Sequence, residues 1–217
     1  MNLKNNQKNH LVFAIRAYFS KVEGLTDSIE LHYDKSMLPG YGWVFPAGKE
    51  RTNIGVGVIT RFKEQGGLKR VFERFVGENA FVAGKLKNAF MEPGTLRAWP
   101  LPLGSFPGRR GQGNVLLAGD AGSFVDPLTG EGIYYALKSG ELAAEAAAKA
   151  LDEGGGANAA AIYEKHWRKA FRFHDYIVGY SLQALLNNAY ILESLMKFSA
   201  RKQARADLLA GVICHNR

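Results

Sequence analysis

The chain has 217 residues, 47% hydrophobic and 22% charged, which is enough to bury a core and excludes an intrinsically disordered protein. Its 28 Lys and Arg against 20 Asp and Glu give a net charge of +8, yet the basic residues are scattered, so nucleic-acid binding is set aside. The single cysteine, Cys214, excludes an internal disulfide and a cysteine-based zinc site. The histidines (His10, His32, His166, His174 and His215) keep no metal-ligand spacing, so no metal is expected.

Met1 to Asn9 is polar and lacks the apolar core of a signal peptide. Four strand signals follow. Leu11 to Phe19 is rich in apolar and β-branched residues. Ile29, Leu31 and Tyr33 alternate with Glu30, His32 and Asp34, the period-two pattern of a half-buried strand. Tyr41 to Pro46 and Asn53 to Ile59 are two more, joined by the hairpin loop Ala47-Gly48-Lys49-Glu50-Arg51. Their short spacing predicts an antiparallel sheet. Gly66-Gly67 ends it, and Leu68, Val71, Phe72, Phe75 and Val76 then fall at helical spacing.

Within the third strand, Tyr41, Trp43 and Phe45 point to one face. Gly55 and Gly57 on the fourth leave room opposite. Rings facing missing side chains describe either a groove for an elongated apolar ligand or an ordinary aromatic sheet core.

Further along, Pro100 and Pro102 mark an extended stretch. The basic loop Gly108-Arg109-Arg110-Gly111 reads as solvated, with a ligand phosphate as the alternative partner for Arg109 and Arg110. A short apolar strand, Val115 to Ala118, runs into Gly119-Asp120. A loop with Pro127, Gly122, Gly130 and Gly132 follows, then a long Ala-rich helix from Gly132 that stops before Gly154-Gly155-Gly156.

Asp120 is expected at the C-terminal edge of a sheet, where open α/β sheets bind ligands. There it accepts hydrogen bonds from sugar-like hydroxyls, or else it caps the loop. The glycines let a flat ligand reach the backbone, and the helix start offers unpaired N–H groups with partial positive charge. Asp126 and Glu131 either relay protons or cap the helix. Ser123 lies in Ala-Gly-Ser-Phe, which is no nucleophile elbow.

From Ala159 onward the pattern is helical and amphipathic. Residues 176 to 192 carry no charge, but Gln183, Asn187 and Asn188 interrupt the apolar face. The segment therefore reads as core-packing or surface-lying rather than membrane-spanning.

Residues 113 to 140 closely resemble the second flavin-binding motif of FAD-dependent oxidoreductases with the aromatic-hydroxylase fold, in the version carried by geranylgeranyl reductases. Tyr41-Gly42-Trp43-Val44-Phe45-Pro46 followed by Gly55-Val56-Gly57 is similar to that family's substrate-side signature. Ala14-Ile15-Arg16-Ala17-Tyr18 and Leu38-Pro39-Gly40 are similar to it as well, so the likeness covers roughly residues 10 to 151.

The resemblance implies FAD binding through Gly119, Asp120, Pro127, Gly130, Gly132 and Ile133. Asp120 would meet the ribityl chain, and the backbone at Gly132 and Ile133 would face the pyrimidine end of the isoalloxazine. It implies an isoprenoid channel lined by Tyr41, Trp43, Phe45, Pro46, Gly55 and Gly57. It assigns no catalytic residue.

The fold is expected to be α/β, or α+β if the chain is a fragment. A polar segment occupies 1–9, an antiparallel substrate-binding sheet domain 10–104, the closing strand–loop–helix of an FAD domain 105–153, and a helical region 154–217. The implied activity is FAD-dependent reduction of carbon–carbon double bonds in isoprenoid or prenyl-lipid chains. The substrate would be a prenyl lipid or isoprenoid diphosphate, and NAD(P)H or ferredoxin the electron donor.

That fold's Gly-x-Gly-x-x-Gly turn occurs nowhere in the sequence, so the chain reads as the C-terminal part of a flavoenzyme. The alternatives are a flavin monooxygenase or halogenase of the same fold, and a non-catalytic fragment or partner-dependent subunit. The expected location is cytoplasmic, with peripheral contact at the inner membrane surface allowed.

Overall fold

The structure, a computed structural model, describes residues 10–59, 67–154 and 158–213. The expectations for 1–9, Gly66, Gly155-Gly156, Cys214 and His215 lie outside the described residues. The chain divides into two compact units, one spanning Val12–Pro100 and the other gathering the residues on either side of it.

The Val12–Pro100 unit is built on an antiparallel sheet. Its main strands are β1 (Leu11–Ser20), β2 (Glu30–His32), β3 (Tyr41–Pro46) and β4 (Arg51–Ile59), with short β5 (Phe90–Met91) beyond. The order is β2-β3-β4-β1-β5, and β6 (Arg97–Pro102) also pairs with β1. The period-two signal is visible in β1, where Ile15, Ala17 and Phe19 are buried and their neighbours are not.

Val44 of β3 and Ile54, Val56 and Val58 of β4 join them, and this face is covered by α1 (Gly67–Glu78) and α2 (Ala80–Lys85) through Val71, Phe72, Phe75 and Val82. Gly42 lets α1 come close, because the Phe75 ring lies only 2.4 Å from where a Cβ on Gly42 would stand. The strand expected at Asn53 begins two residues earlier, at Arg51, where Ala47 N–H bonds to the Arg51 carbonyl at 2.8 Å and extends the ladder.

In the second unit, β7 (Gly111–Gln112) and β8 (Val115–Leu116) form a two-stranded antiparallel ribbon. The strand expected over Val115 to Ala118 is thus half as long. Ala118 stays extended (φ −116°, ψ 162°), but Gly119 turns into the left-handed region (φ +55°) and starts a 3-10 turn, Gly119–Gly122. Asp120 therefore sits in a turn after a ribbon, not at the edge of a larger sheet among the described residues.

The helix α3 (Ile133–Asp152) buries Tyr135, Ser139, Leu142, Ala146 and Ala150 along one stripe. It packs on α4 (Ala159–Trp167). A π-helical stretch, Arg168–Val178, then turns Phe171, Asp175 and Tyr176 inward. After it come α5 (Gly179–Leu186), α6 (Ala189–Ala200) and α7 (Gln203–Ile213).

The uncharged segment 176 to 192 is cut between α5 and α6, where the Asn188 side chain accepts from Tyr190 N–H at 3.0 Å and caps α6. Gln183 is buried and donates to the Pro127 carbonyl. No helix among the described residues is long and apolar enough to cross a membrane.

The basic loop holds the largest departure from the sequence reading. Arg109 is exposed as expected, but Arg110 is among the most deeply buried side chains, 1% exposed. Its guanidinium lies over Trp167 at 3.8 Å and Phe124 at 4.8 Å from the ring centres. Nη2 donates to the Gly104 carbonyl (2.7 Å) and the Ser123 carbonyl (3.1 Å), and the Arg110 backbone N–H donates to Glu164 (2.6 Å).

Desolvation pulls its pKa down to about 10, against the opposing pull of the tyrosines and Glu164. Aromatic faces and carbonyls, rather than a carboxylate facing the guanidinium, hold this charge. It is a fastener of the fold and no phosphate ligand. Arg110→Ala should cost about 3 kcal/mol or more, because it leaves a cavity and two buried carbonyls unpaired. Arg110→Lys should rescue little of it, since an ammonium lacks the planar fork. Arg109→Ala should stay within about 0.5 kcal/mol of wild type. Urea unfolding followed by tryptophan fluorescence checks all three.

Candidate functional site

Two sets of residues carry the chemistry, one in each unit. In the Val12–Pro100 unit, the sheet face away from α1 is built in rows across β3, β4 and β1. These rows are Tyr41–Gly57–Ala14, Trp43–Gly55–Arg16 and Phe45–Asn53–Tyr18. Trp43 lies between Tyr41 and Phe45, with ring centres 6.2 and 6.0 Å away, and Tyr33 adds a fourth ring 5.9 Å from Tyr41. All three wall residues are half-buried, neither core nor free surface.

The room expected opposite the wall is taken by the wall itself. A Cβ on Gly55 would lie 2.2 Å from the Trp43 ring, so the indole rests directly on that glycine. Gly57 is less pressed, with Val12 at 3.6 Å and Trp43 at 3.8 Å. The indole Nε1–H donates to Asn53 Oδ1 at 2.9 Å, which fixes the ring plane.

Asn53 was not singled out from sequence, although its register with Phe45 on this face was readable from the hairpin. Pro46 departs from the set: it is in register with buried Thr52, one step past the wall on the other side of the pleat.

At one end the face turns polar. Arg51 donates to Glu92 at 2.7 and 2.9 Å, Ser20 adds a 2.7 Å hydrogen bond, and Arg51 lies over the Tyr18 ring at 4.0 Å. Those donors hold the Glu92 carboxyl down at about 2.

In the second unit, the residues singled out from sequence gather around the start of α3. Gly119 donates its N–H to Ser139 Oγ (2.9 Å), and a Cβ there would meet Ala136 at 3.2 Å, so the turn is pressed against the helix. Asp120 points its carboxylate towards Gly132, with Oδ1 3.7 Å from where a Gly132 Cβ would stand. That carboxylate has no hydrogen-bond partner among the described residues, and desolvation raises its pKa. Loop capping by the Asp120 side chain has no contact behind it.

Asp126 does that work instead. It is fully buried, and its Oδ1 accepts from the Leu128 and Thr129 N–H groups at 2.9 and 2.7 Å. Glu131 accepts from Tyr134 N–H at 2.8 Å, so it caps the helix. Pro127 is buried under α5, and Gly130 takes φ +73°. The backbone N–H groups of Gly132 and Ile133 find no partner among the described residues. What remains exposed is one carboxylate beside two free N–H donors at the positive end of a 20-residue helix.

The pattern of the geranylgeranyl reductase catalytic domain matches residues 11–92. Over this segment the chain is similar to the geranylgeranyl reductase family. Its relatives include a digeranylgeranylglycerophospholipid reductase of Methanosphaerula palustris, 32% identical over 82% of this chain and 44% of that protein. A menaquinone reductase of Mycobacterium tuberculosis is 34% identical over 61% of this chain and 33% of its own length. The chain thus spans less than half of either.

Among solved structures, a geranylgeranyl bacteriochlorophyll reductase-like protein of Thermoplasma acidophilum superposes with a TM-score of 0.76 at 23% identity. It covers 86% of this chain and 46% of that one. A flavin-dependent brominase reaches 0.58 at 18%, covering 87% and 50%. These likenesses establish the flavoprotein fold.

The geometry separates the two wall glycines. Gly55→Ala should push Trp43 off its seat, lose about 1–3 kcal/mol and shift its fluorescence to the red. Gly57→Ala should be accommodated with a change below about 1 kcal/mol. Thermal unfolding and emission spectra of the two variants give the comparison.

Proposed function

We propose that the chain is the substrate-facing and flavin-closing part of an FAD-dependent reductase that saturates carbon–carbon double bonds in isoprenoid or prenyl-lipid chains. The observation that supports this most directly is the half-buried aromatic wall laid over Gly55 and Gly57, inside the segment that matches the reductase catalytic domain. Rings lining an open sheet face suit a long apolar chain better than a compact polar substrate.

The residues present fit a flavin. Gly119 in the left-handed region, the Gly132 and Ile133 N–H groups at the start of α3 and the Asp120 carboxylate together offer donors and one acceptor to a flat, hydroxyl-bearing group. When bound, the flavin would supply hydride. Asp120 would accept hydrogen bonds from its sugar-like chain, and the Gly132 and Ile133 N–H groups would oppose negative charge on the ring. No side chain is assigned as proton donor.

The adenosine half of FAD needs a phosphate cradle that the sequence does not contain, supplied by an attached segment or by another chain. NAD(P)H or ferredoxin is the proposed source of electrons. Exposed Phe173, Ile177, Leu185 and Tyr190, with Lys169 and Arg172 nearby in sequence, support peripheral contact with an anionic membrane surface from the cytoplasmic side.

Anaerobic incubation of the protein, together with the segment or chain that supplies the cradle, with reduced FAD and a geranylgeranyl lipid tests the activity. Mass spectrometry should show the lipid gaining hydrogen pairs. Oxygen-dependent hydroxylation or halogenation of a small aromatic, with the lipid unchanged, would replace this reading by the monooxygenase one. In flavin titrations followed by fluorescence, Asp120→Ala should weaken binding roughly tenfold to a hundredfold, the cost of a lost charged hydrogen bond, with an unchanged melting temperature.

A further inference from the structure

Arg16 stands in the middle of the open sheet face, in register with Gly55 and on the same side of the pleat as Trp43. Among the described residues its side chain makes one hydrogen bond, from Nη1 to the Thr95 carbonyl at 2.9 Å, and its guanidinium lies 5.1 Å from the centre of the Tyr18 ring. Arg51 shares that ring from 4.0 Å, and the two arginines differ in one respect. Arg51 is neutralised by Glu92 through two hydrogen bonds of 2.7 and 2.9 Å, whereas Arg16 meets no carboxylate among the described residues.

A guanidinium has five N–H donors in a fixed fork, so most of those on Arg16 are unused. On a half-buried side chain those donors are open to water or to a ligand. A phosphate matches the fork in two parallel hydrogen bonds.

The surroundings say what else that ligand carries. From Arg16 back along β1, Ala14 and then Val12 form the floor beside buried Gly57 and Ile59, about 13 Å of strand over which β1, β3 and β4 place no charged side chain on this face. Tyr41 and Trp43 flank it. The face is cationic at one point and apolar on one side of it, the complement of an amphiphile with an anionic head.

We propose that Arg16 binds a phosphate group at the head of the prenyl substrate, with the isoprenoid tail running from there over Gly57 towards Val12. This rests on the prenyl-lipid reading of the same face. The chemistry is shared by a prenyl diphosphate and by the phosphate of a prenyl-ether glycerophospholipid.

The test compares binding of geranylgeranyl diphosphate, a geranylgeranyl-ether glycerophospholipid and uncharged geranylgeraniol to wild type, Arg16→Gln and Arg16→Lys, by isothermal titration. Arg16→Gln should weaken the phosphate ligands roughly tenfold or more and leave geranylgeraniol within about twofold. Arg16→Lys should recover part of the loss, and the phosphate ligands alone should weaken in high salt. The tighter phosphate ligand identifies the head.

Equal losses for all ligands, or no loss, would make Arg16 a strut to Thr95 and overturn the assignment while the groove stands. Inorganic phosphate binding as tightly as the lipids would overturn the tail. Wild type binding none of the three would overturn the prenyl-lipid reading and this assignment with it.

Discussion

A sheet has two faces and one register, and the pairing of Trp43 with Gly55 decides what each face of this one carries. A slip of one residue would turn the rings of β3 under α1 and expose Val44, which the present register leaves fully buried. Two glycines enforce the choice from opposite sides. Gly42 admits the Phe75 ring on the α1 side, and Gly55 admits the Trp43 ring on the other. Neither seat accepts a methyl group without moving an aromatic ring. The packed face supplies stability, so the opposite face is free to keep rings and a cation that a core would not tolerate.

The second unit keeps its loop in shape from behind. Arg110 gathers the carbonyls of Gly104 and Ser123, Asp126 ties down Leu128 and Thr129, and Gln183 reaches the Pro127 carbonyl. Ser123 sits at φ +56°, a conformation a non-glycine residue adopts only when its surroundings demand it, and Arg110 is one of those demands. With the polar groups behind the loop engaged, the Asp120 carboxylate and the N–H groups of Gly132 and Ile133 are the ones left facing outward. Donors and acceptors fixed in advance lose little freedom when a ligand arrives.

Much of this was readable from residue pattern because it depends on local periodicity. The strand β3 falls on Tyr41–Pro46 and α3 on Ile133–Asp152, where alternation, glycine punctuation and Ala-rich spacing leave little choice. What was misread depends on contacts distant in sequence. Arg110 looks solvated because its neighbours are glycine and arginine, while Phe124, Trp167 and Tyr176, which bury it, lie far along the chain. The strand before Asp120 looks four residues long because apolar content says nothing about whether a neighbouring strand exists to pair with it. The indole of Trp43 was expected to border an empty space and instead fills it, since a glycine opposite a tryptophan is equally a vacancy and a seat.

The 3 tryptophans of the chain happen to sample three surroundings. Trp43 is half-buried with its N–H bound to Asn53, Trp99 is 68% exposed, and Trp167 is 3% exposed under the Arg110 guanidinium. A cation stacked on an indole face perturbs its excited state, and a polar acceptor on the ring nitrogen perturbs it differently. The protein therefore carries its own optical label in each unit, Trp43 in one and Trp167 in the other. Ultraviolet emission alone reports whether the sheet and the helical region melt in one step or in two.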